Sequence, residues 1–195
     1  MRPAALIFDC DGTLADTMPA HYEAWVATLN HYHVALDEDL FYAMGGWPTL
    51  KVAEHLLEKA GVVMPAERIV EEKEALFAAM LGSIQPILPV IEIASQHRGV
   101  IPMSVGSGGL KHLVVETLRH LRIDDWFHSI VTCEDVQNHK PHPDTYLEAA
   151  RRMNVDPTAC VVYEDTDPGI EAGQRAGMQV IDVRTLYTPR RVTPK

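Results

Sequence analysis

The sequence predicts an α/β fold in which a parallel sheet is interrupted, soon after its first strand, by an all-helical insertion. Two patterns carry that expectation. Short apolar runs of β-favouring residues recur along the chain and alternate with segments of helical spacing, the pattern of strands joined by crossover helices. One long interval, residues 17–83, breaks the alternation and offers helical patterns alone. Because the strand runs lack in-and-out polarity, both faces of the sheet should be covered.

The elements follow in order. Residues 4–8 form the first apolar run, ending at Asp9. Helical patterns then occupy residues 21–32, 37–44, 49–60 and 65–81, punctuated by Gly45, Gly46, Pro48 and Gly61. Residues 82–89, rich in Gly and Pro, mark the return to the sheet. Further strand runs lie at 100–105, 129–132, 160–163 and 179–183, with helical spacing at 110–121, 144–153 and 169–176 between them. The expected organisation is therefore a core of residues 1–16 and 84–195 with a helical insertion, 17–83, joined to it by hinges at 15–18 and 82–86. The basic end, 189–195, is expected to fray.

Composition excludes several function classes. The chain has 195 residues, 47% hydrophobic and 23% charged, which suits one globular unit with a modest insertion. A formal net charge of -10 opposes unspecific binding to nucleic acid or anionic membranes. No run approaches the roughly 20 apolar residues of a membrane span, and two acids by Asp11 come too early for a signal peptide, so a cytoplasmic protein is expected. Three well-separated cysteines, Cys10, Cys133 and Cys160, fit reduced thiols. A cysteine-dependent phosphatase needs an arginine six residues after its thiolate. Asp16, His139 and Thr166 stand there instead.

In open parallel sheets ligands bind beyond the carboxyl ends of the strands. The first run delivers Asp9, Cys10, Asp11, Gly12 and Thr13; the second Gly106, Ser107, Gly108 and Gly109; the third leads to Lys140; the fourth delivers Glu164 and Asp165. Acids, a hydroxyl and a lysine converging on one crevice suit phosphoryl transfer, where charge on three oxygens must be neutralised while a nucleophile attacks in line. A hard cation such as Mg2+ offsets the repulsion between carboxylates and phosphate. Asp9 and Asp11 share a face in extended backbone, and Gly12 allows a sharp turn that brings N–H groups toward phosphate. Two carboxylates sharing a site tend to separate in pKa, which lets one carry a proton while the other does not.

These residues, in this order, resemble the four motifs of the haloacid dehalogenase-like superfamily. The insertion after the first motif, together with residues 139–144 and 164–170, resembles its β-phosphoglucomutase-like branch, including fructose-1-phosphate phosphatase-like members. The resemblance implies a Rossmann-like core with a helical cap and a phosphatase acting through an aspartyl-phosphate. Asp9 would be the nucleophile and Asp11 the acid and base, roles that would have Asp11 carry a proton while Asp9 does not. Ser107 would bind a phosphate oxygen, with Gly12, Thr13 and Gly108 beside the substrate, and Lys140 would neutralise phosphate. Mg2+ would be held by Asp9, the Asp11 carbonyl and Asp165, with Glu164 touching the metal or one of its ligands. His21, after the first hinge, would couple cap closure to acid/base chemistry, and Lys73 would contact substrate from the cap.

Mutases of this branch carry an arginine after the glycine turn for a second phosphate, whereas Trp47, Pro48 and Thr49 follow it here, with Lys51 the nearest cation. Hydrolysis of a sugar monophosphate is therefore expected over mutase chemistry. A phospho-accepting receiver module would carry no such insertion, and dehalogenases lack the roles of Asp11, Glu164 and Asp165. The expected partner is a small phosphate ester, with the protein a monomer or weak homodimer.

Overall fold

The computed structural model describes residues 2–193. Five parallel strands form one sheet, β1 (Ala5–Phe8), β2 (Met103–Gly106), β3 (Ser129–Val131), β4 (Cys160–Glu164) and β5 (Gln179–Asp182), in the order β3-β2-β1-β4-β5. The strand reversal lies at β1, which pairs with β2 on one side and β4 on the other. That places the carboxyl ends of β1, β2 and β4 around one crevice, as ligand binding at a topological switch point requires.

Between β1 and the rest of the sheet lie α1 (Met18–Asn30), α2 (Glu38–Ala43), α3 (Thr49–Ala60) and α4 (Ala66–Met80). These helices bury an apolar cluster of their own, including Trp25, Leu29, Phe41, Leu56 and Ile69. The sheet has separate clusters on its two faces, one around Leu6, Phe8 and Val105, the other around Ile7, Tyr146 and Val162. A further cluster joins the two parts, with Ala24 and Phe77 of the insertion against Ile84 and Leu113. The two crossings lie side by side: Ala15 and Pro86 form an antiparallel bridge, and Asp16 N–H donates to the Gln85 carbonyl at 2.9 Å.

After the insertion come α5 (Leu88–His97), α6 (Lys111–His120), α7 (Asp144–Met153) and α8 (Asp167–Arg175). The sequence pattern gave no sign of α5, because its one proline, Pro89, read as part of the returning loop. Pro89 stands in the first turn of the helix, where its missing N–H costs nothing. The second strand begins three residues later than the apolar run, since Val100 and Ile101 donate back to the His97 carbonyl and Pro102 has no N–H to pair.

The basic end also departs from expectation. Residues 190–193 do not fray but run across the insertion. Arg190 Nε meets Asp16 Oδ2 at 2.5 Å, and the Tyr42 hydroxyl donates to the Arg190 carbonyl at 2.7 Å. Val192 N–H and Thr193 N–H donate to the two oxygens of Glu38 at 2.8 and 3.0 Å, which explains how this acid is buried. Residues 194 and 195, part of the same expectation, lie outside the described residues. Among the described residues no helix is long and apolar enough to cross a membrane.

Candidate active site

The end of β1 turns at once, with Leu14 and Ala15 N–H both donating to the Cys10 carbonyl at 3.0 Å. Gly12 takes φ +84, and a Cβ there would lie 2.2 Å from Asp165 Oδ2, so only glycine lets the β1 and β4 loops touch. Thr13 then donates to Asp165 Oδ1 at 2.9 Å. Its hydroxyl is committed to that acid, so Thr13 holds Asp165 in place and does not face the cavity.

Lys140 is the electrostatic centre. Its Nζ donates to Asp9 Oδ1 and Glu164 Oε1, both at 2.7 Å, and lies 4.9 Å over the Tyr146 ring. Burial disfavours the ammonium, but Asp9 and Glu164 outweigh burial and hold its pKa well above the usual lysine value. Glu164 is fully engaged: Oε1 also accepts from the Tyr146 hydroxyl at 3.2 Å, and Oε2 from Thr166 N–H and Oγ1 at 2.6 and 3.0 Å. A Cβ on Gly169 would lie 1.7 Å from Glu164 Oε1, so the start of α8 needs glycine to pack against this acid. Both oxygens of Glu164 are therefore engaged by the protein, one of them by Lys140.

The protonation expectation for the two aspartates is reversed in this state. Burial, reinforced by Glu164 and Asp11 and opposed by Lys140, pushes Asp9 well above the usual carboxylate range. Burial also pushes Asp165 up, with Glu164 and Asp9 adding to it. Asp11 goes the other way. Burial raises its pKa, but donation from His21 and Thr17 and the charge of Lys73 outweigh that and hold it below its ordinary value. The physical reason is distribution of charge: Asp9, Glu164 and Asp165 share one lysine, whereas Asp11 faces donors and a second lysine.

Those donors come from the insertion. Thr17 Oγ1 donates to Asp11 Oδ1 at 2.8 Å, and His21 Nε2 lies 3.5 Å from the same oxygen. Lys73 Nζ is 2.8 Å from His21 Nδ1. An ammonium only donates, so Nδ1 accepts and the proton of the neutral ring stands on Nε2, toward Asp11. Burial and Lys73 both keep that ring neutral by lowering its pKa. The imidazole stacks on Phe77 with centroids 3.8 Å apart, fixing its plane.

Ser107, at the end of β2, accepts from Gly109 N–H at 3.0 Å, leaving its own hydrogen for another acceptor. Asp9, Asp11, Ser107, Gly108, Lys140 and Glu164 from the core, with His21 and Lys73 from the insertion, line one cavity of about 140 Å³. Gly12, Thr13 and Asp165 lie behind this lining. Thr17 and Tyr146 went unnoticed in the sequence, where Thr17 read as hinge and Tyr146 as one apolar position of a helix. Nothing local marks either; each is functional only through the acid it touches.

Among the described residues no three His, Cys, Asp or Glu side chains converge to hold a metal by themselves. Mg2+ does not need three: it takes one or two carboxylates and completes its shell with water, carbonyl oxygens and phosphate. Asp9, the Asp11 carbonyl and Asp165 would offer such an all-oxygen set. Burial, reinforced by the neighbouring acids, raises Asp9 and Asp165, and a divalent cation would offset both effects, so the residues present fit the ion.

The comparisons with known proteins agree with this geometry. The model for the haloacid dehalogenase-like hydrolase family matches residues 6–183. The chain is 40% identical over 186 residues to the fructose-1-phosphate phosphatase YqaB of Escherichia coli (strain K12), covering 95% of this chain and 98% of that one. It is 32% identical over 181 residues to a phosphorylated carbohydrates phosphatase of Thermotoga maritima, covering 91% and 83% of the two chains. Among solved structures it is similar to the β-phosphoglucomutase of Clostridium difficile, with a TM-score of 0.81 at 26% identity, over 93% of this chain and 84% of that one. A family match running from the first strand to the last, and phosphatases aligned nearly end to end, make this chain a member of the haloacid dehalogenase-like hydrolases and one of their phosphatases.

Proposed function

We propose that the protein is a Mg2+-dependent sugar-phosphate phosphatase that works through an aspartyl-phosphate on Asp9, with residues 17–83 as a cap over the core. The observation that carries this reading is the shared cavity: one wall presents Asp9 with Lys140, the other brings His21 to Asp11. The similar phosphatases and the E. coli fructose-1-phosphate phosphatase support a carbohydrate monoester as substrate.

Asp9, the Asp11 carbonyl and Asp165 would hold the ion, which when bound neutralises phosphate charge and lowers the repulsion around Asp9. Lys140 orients Asp9, opposes the rise in its pKa and, with the ion in place, would favour its ionised form, and Ser107 offers its hydrogen to a phosphate oxygen. Asp9 Oδ attacks phosphorus as the P–O bond to the leaving group breaks. Asp11 gives that oxygen a proton, then takes one from the water that hydrolyses the acyl-phosphate. An incoming phosphate places negative charge beside Asp11 and raises its pKa, so Asp11 takes up its proton when substrate is present. Thr17 and His21 hold the carboxyl in line for both transfers.

Hydrolysis is favoured over the mutase reaction by the insertion wall, where Lys73 is the one cation among the described lining residues and no arginine stands. The test is phosphate release from a panel of sugar phosphates, with Mg2+ and after exhaustive chelation. Hydrolysis that needs Mg2+ is expected. Full activity after chelation would remove the metal, and a panel without turnover would remove the reaction.

A further inference from the structure

The substrate pocket divides into a core wall that handles phosphate and an insertion wall that must face the leaving group. Lys73 is not free to grip a second anion from that wall. Its Nζ bonds His21 Nδ1 at 2.8 Å and Glu74 Oε1 at 3.1 Å, and it lies 5.7 and 5.2 Å from the ring centres of Trp25 and Phe77. Lys51, beside the glycine turn, lies 4.9 Å over the Trp47 ring and does not line the cavity. Glu74 does line it. The Glu74 side chain is 12% exposed, one oxygen is paired with Lys73, and the other, Oε2, is buried with no donor. Buried acceptors seldom stay unpaired, so Glu74 has an acceptor left for a donor that enters the cavity it lines, presented when the carboxylate turns about its last bond.

We infer that Glu74 determines specificity for the leaving group: Oε2 accepts a hydroxyl of a neutral, hydroxylated leaving group, and its charge repels leaving groups that carry a second anion. The inference rests on the phosphatase reading above and narrows it to monoesters of neutral sugars or polyols, against bisphosphates and phosphorylated acids. An ionised carboxylate offers acceptors alone, which suits a hydroxyl and nothing anionic. In a cavity with low-dielectric walls, like charges repel more strongly than at an open surface. A site built around such a bond also discriminates strongly against an analogue that lacks the hydroxyl, because the buried acceptor is then left empty.

The experiment is steady-state kinetics of the full chain with Mg2+ on three substrates: the best neutral sugar monophosphate, p-nitrophenyl phosphate, and a sugar bisphosphate. The wild type is compared with Glu74→Gln and Glu74→Ala. Glu74→Ala is expected to lower kcat/KM for the sugar phosphate about tenfold further than for p-nitrophenyl phosphate, with that extra loss mainly in KM. Glu74→Gln keeps an oxygen for Lys73 and a polar group for the hydroxyl. It is expected to hold the sugar phosphate within about threefold while raising the bisphosphate about tenfold. A common factor across all three substrates would overturn the inference, because Glu74 would then act only by positioning Lys73. An unchanged bisphosphate rate in Glu74→Gln would overturn it too. If the wild type hydrolyses sugar and aryl phosphates but the variants match it, only Glu74 fails; if the wild type hydrolyses no monoester, the phosphatase reading fails with it.

Discussion

The two walls of the cavity are built by opposite means. On the core side, ionisable groups from strand ends far apart in sequence lock together: Lys140 on Asp9 and Glu164, Thr13 on Asp165. Those groups rest on a sheet in which β1 pairs with strands on both sides. The insertion side is mostly apolar and aromatic, and its polar groups form one short chain from Glu74 through Lys73 and His21 to Asp11. The difference teaches a division of labour. Phosphate chemistry calls for fixed charges, and those groups sit at the ends of paired strands, whereas the insertion wall reaches the core acids through a few side-chain contacts.

The largest break in that comparison is chemical. Asp9→Asn should lower kcat by several orders of magnitude with the thermal midpoint unchanged or raised, because the amide cannot form the acyl-phosphate while a crowded buried acid is removed. More than about a tenth of the wild-type rate would show that Asp9 is not the nucleophile.

Lys140→Met comes next. It should cut kcat/KM about a hundredfold or more and by a similar factor for every ester, since phosphate is common to all. It should also cost about 3–5 kcal/mol in denaturant unfolding, because Asp9 and Glu164 are left buried without their partner. A loss confined to one class of sugar would move Lys140 from the common wall to the selective one.

On the insertion side the effects should be smaller and uneven. His21→Ala and Lys73→Met should each change kcat/KM by about tenfold for some sugars and less for others, altering their ranking. A uniform loss would mean that these residues serve only Asp11. Further out, the carboxyl-terminal segment closes a third tie between the two parts. Glu38→Gln should destabilise by about 1–3 kcal/mol and speed hydrogen exchange in α2, since the Val192 and Thr193 amides lose a charged acceptor. Exchange unchanged in α2 would show that the segment rests there without holding it.

The smallest effect concerns acid stability, away from both walls. Arg152 links Glu148 and Asp135 at 2.7 and 2.8 Å. Hydrogen bonds from Arg151 and Arg152 hold Glu148 down from 4.5 to about 2, and Asp135, despite partial burial, is held low by Arg152, Thr132 and Lys111. A depressed folded-state pKa stabilises above the unfolded value and is lost as pH falls through the folded one. Stability from Glu148 should thus be complete above about pH 4.5 and fade toward about pH 2. Arg152→Met should flatten that limb of the unfolding curve and leave the neutral-pH rate unchanged; an unaltered acid limb would show that the pair contributes nothing.

The sheet, its helical insertion and the residues of the site were legible in the sequence because each depends on local pattern. Apolar runs ending in Asp9, Gly106 or Glu164 are strands whatever lies around them, and ligands gather where parallel strands end. The α5 helix escaped because proline at a helix start and proline in a loop look alike along the chain. Tertiary structure alone decided the rest, since burial and charge act through space. It put the low carboxylate at Asp11 and the high one at Asp9, and it spent Glu164 on Lys140 and Thr166. It also carried the basic end to Glu38 and left Glu74 with an oxygen to fill. No spacing along the chain records which acid will meet a donor, because the partners lie up to 174 residues apart and are brought together only by the fold.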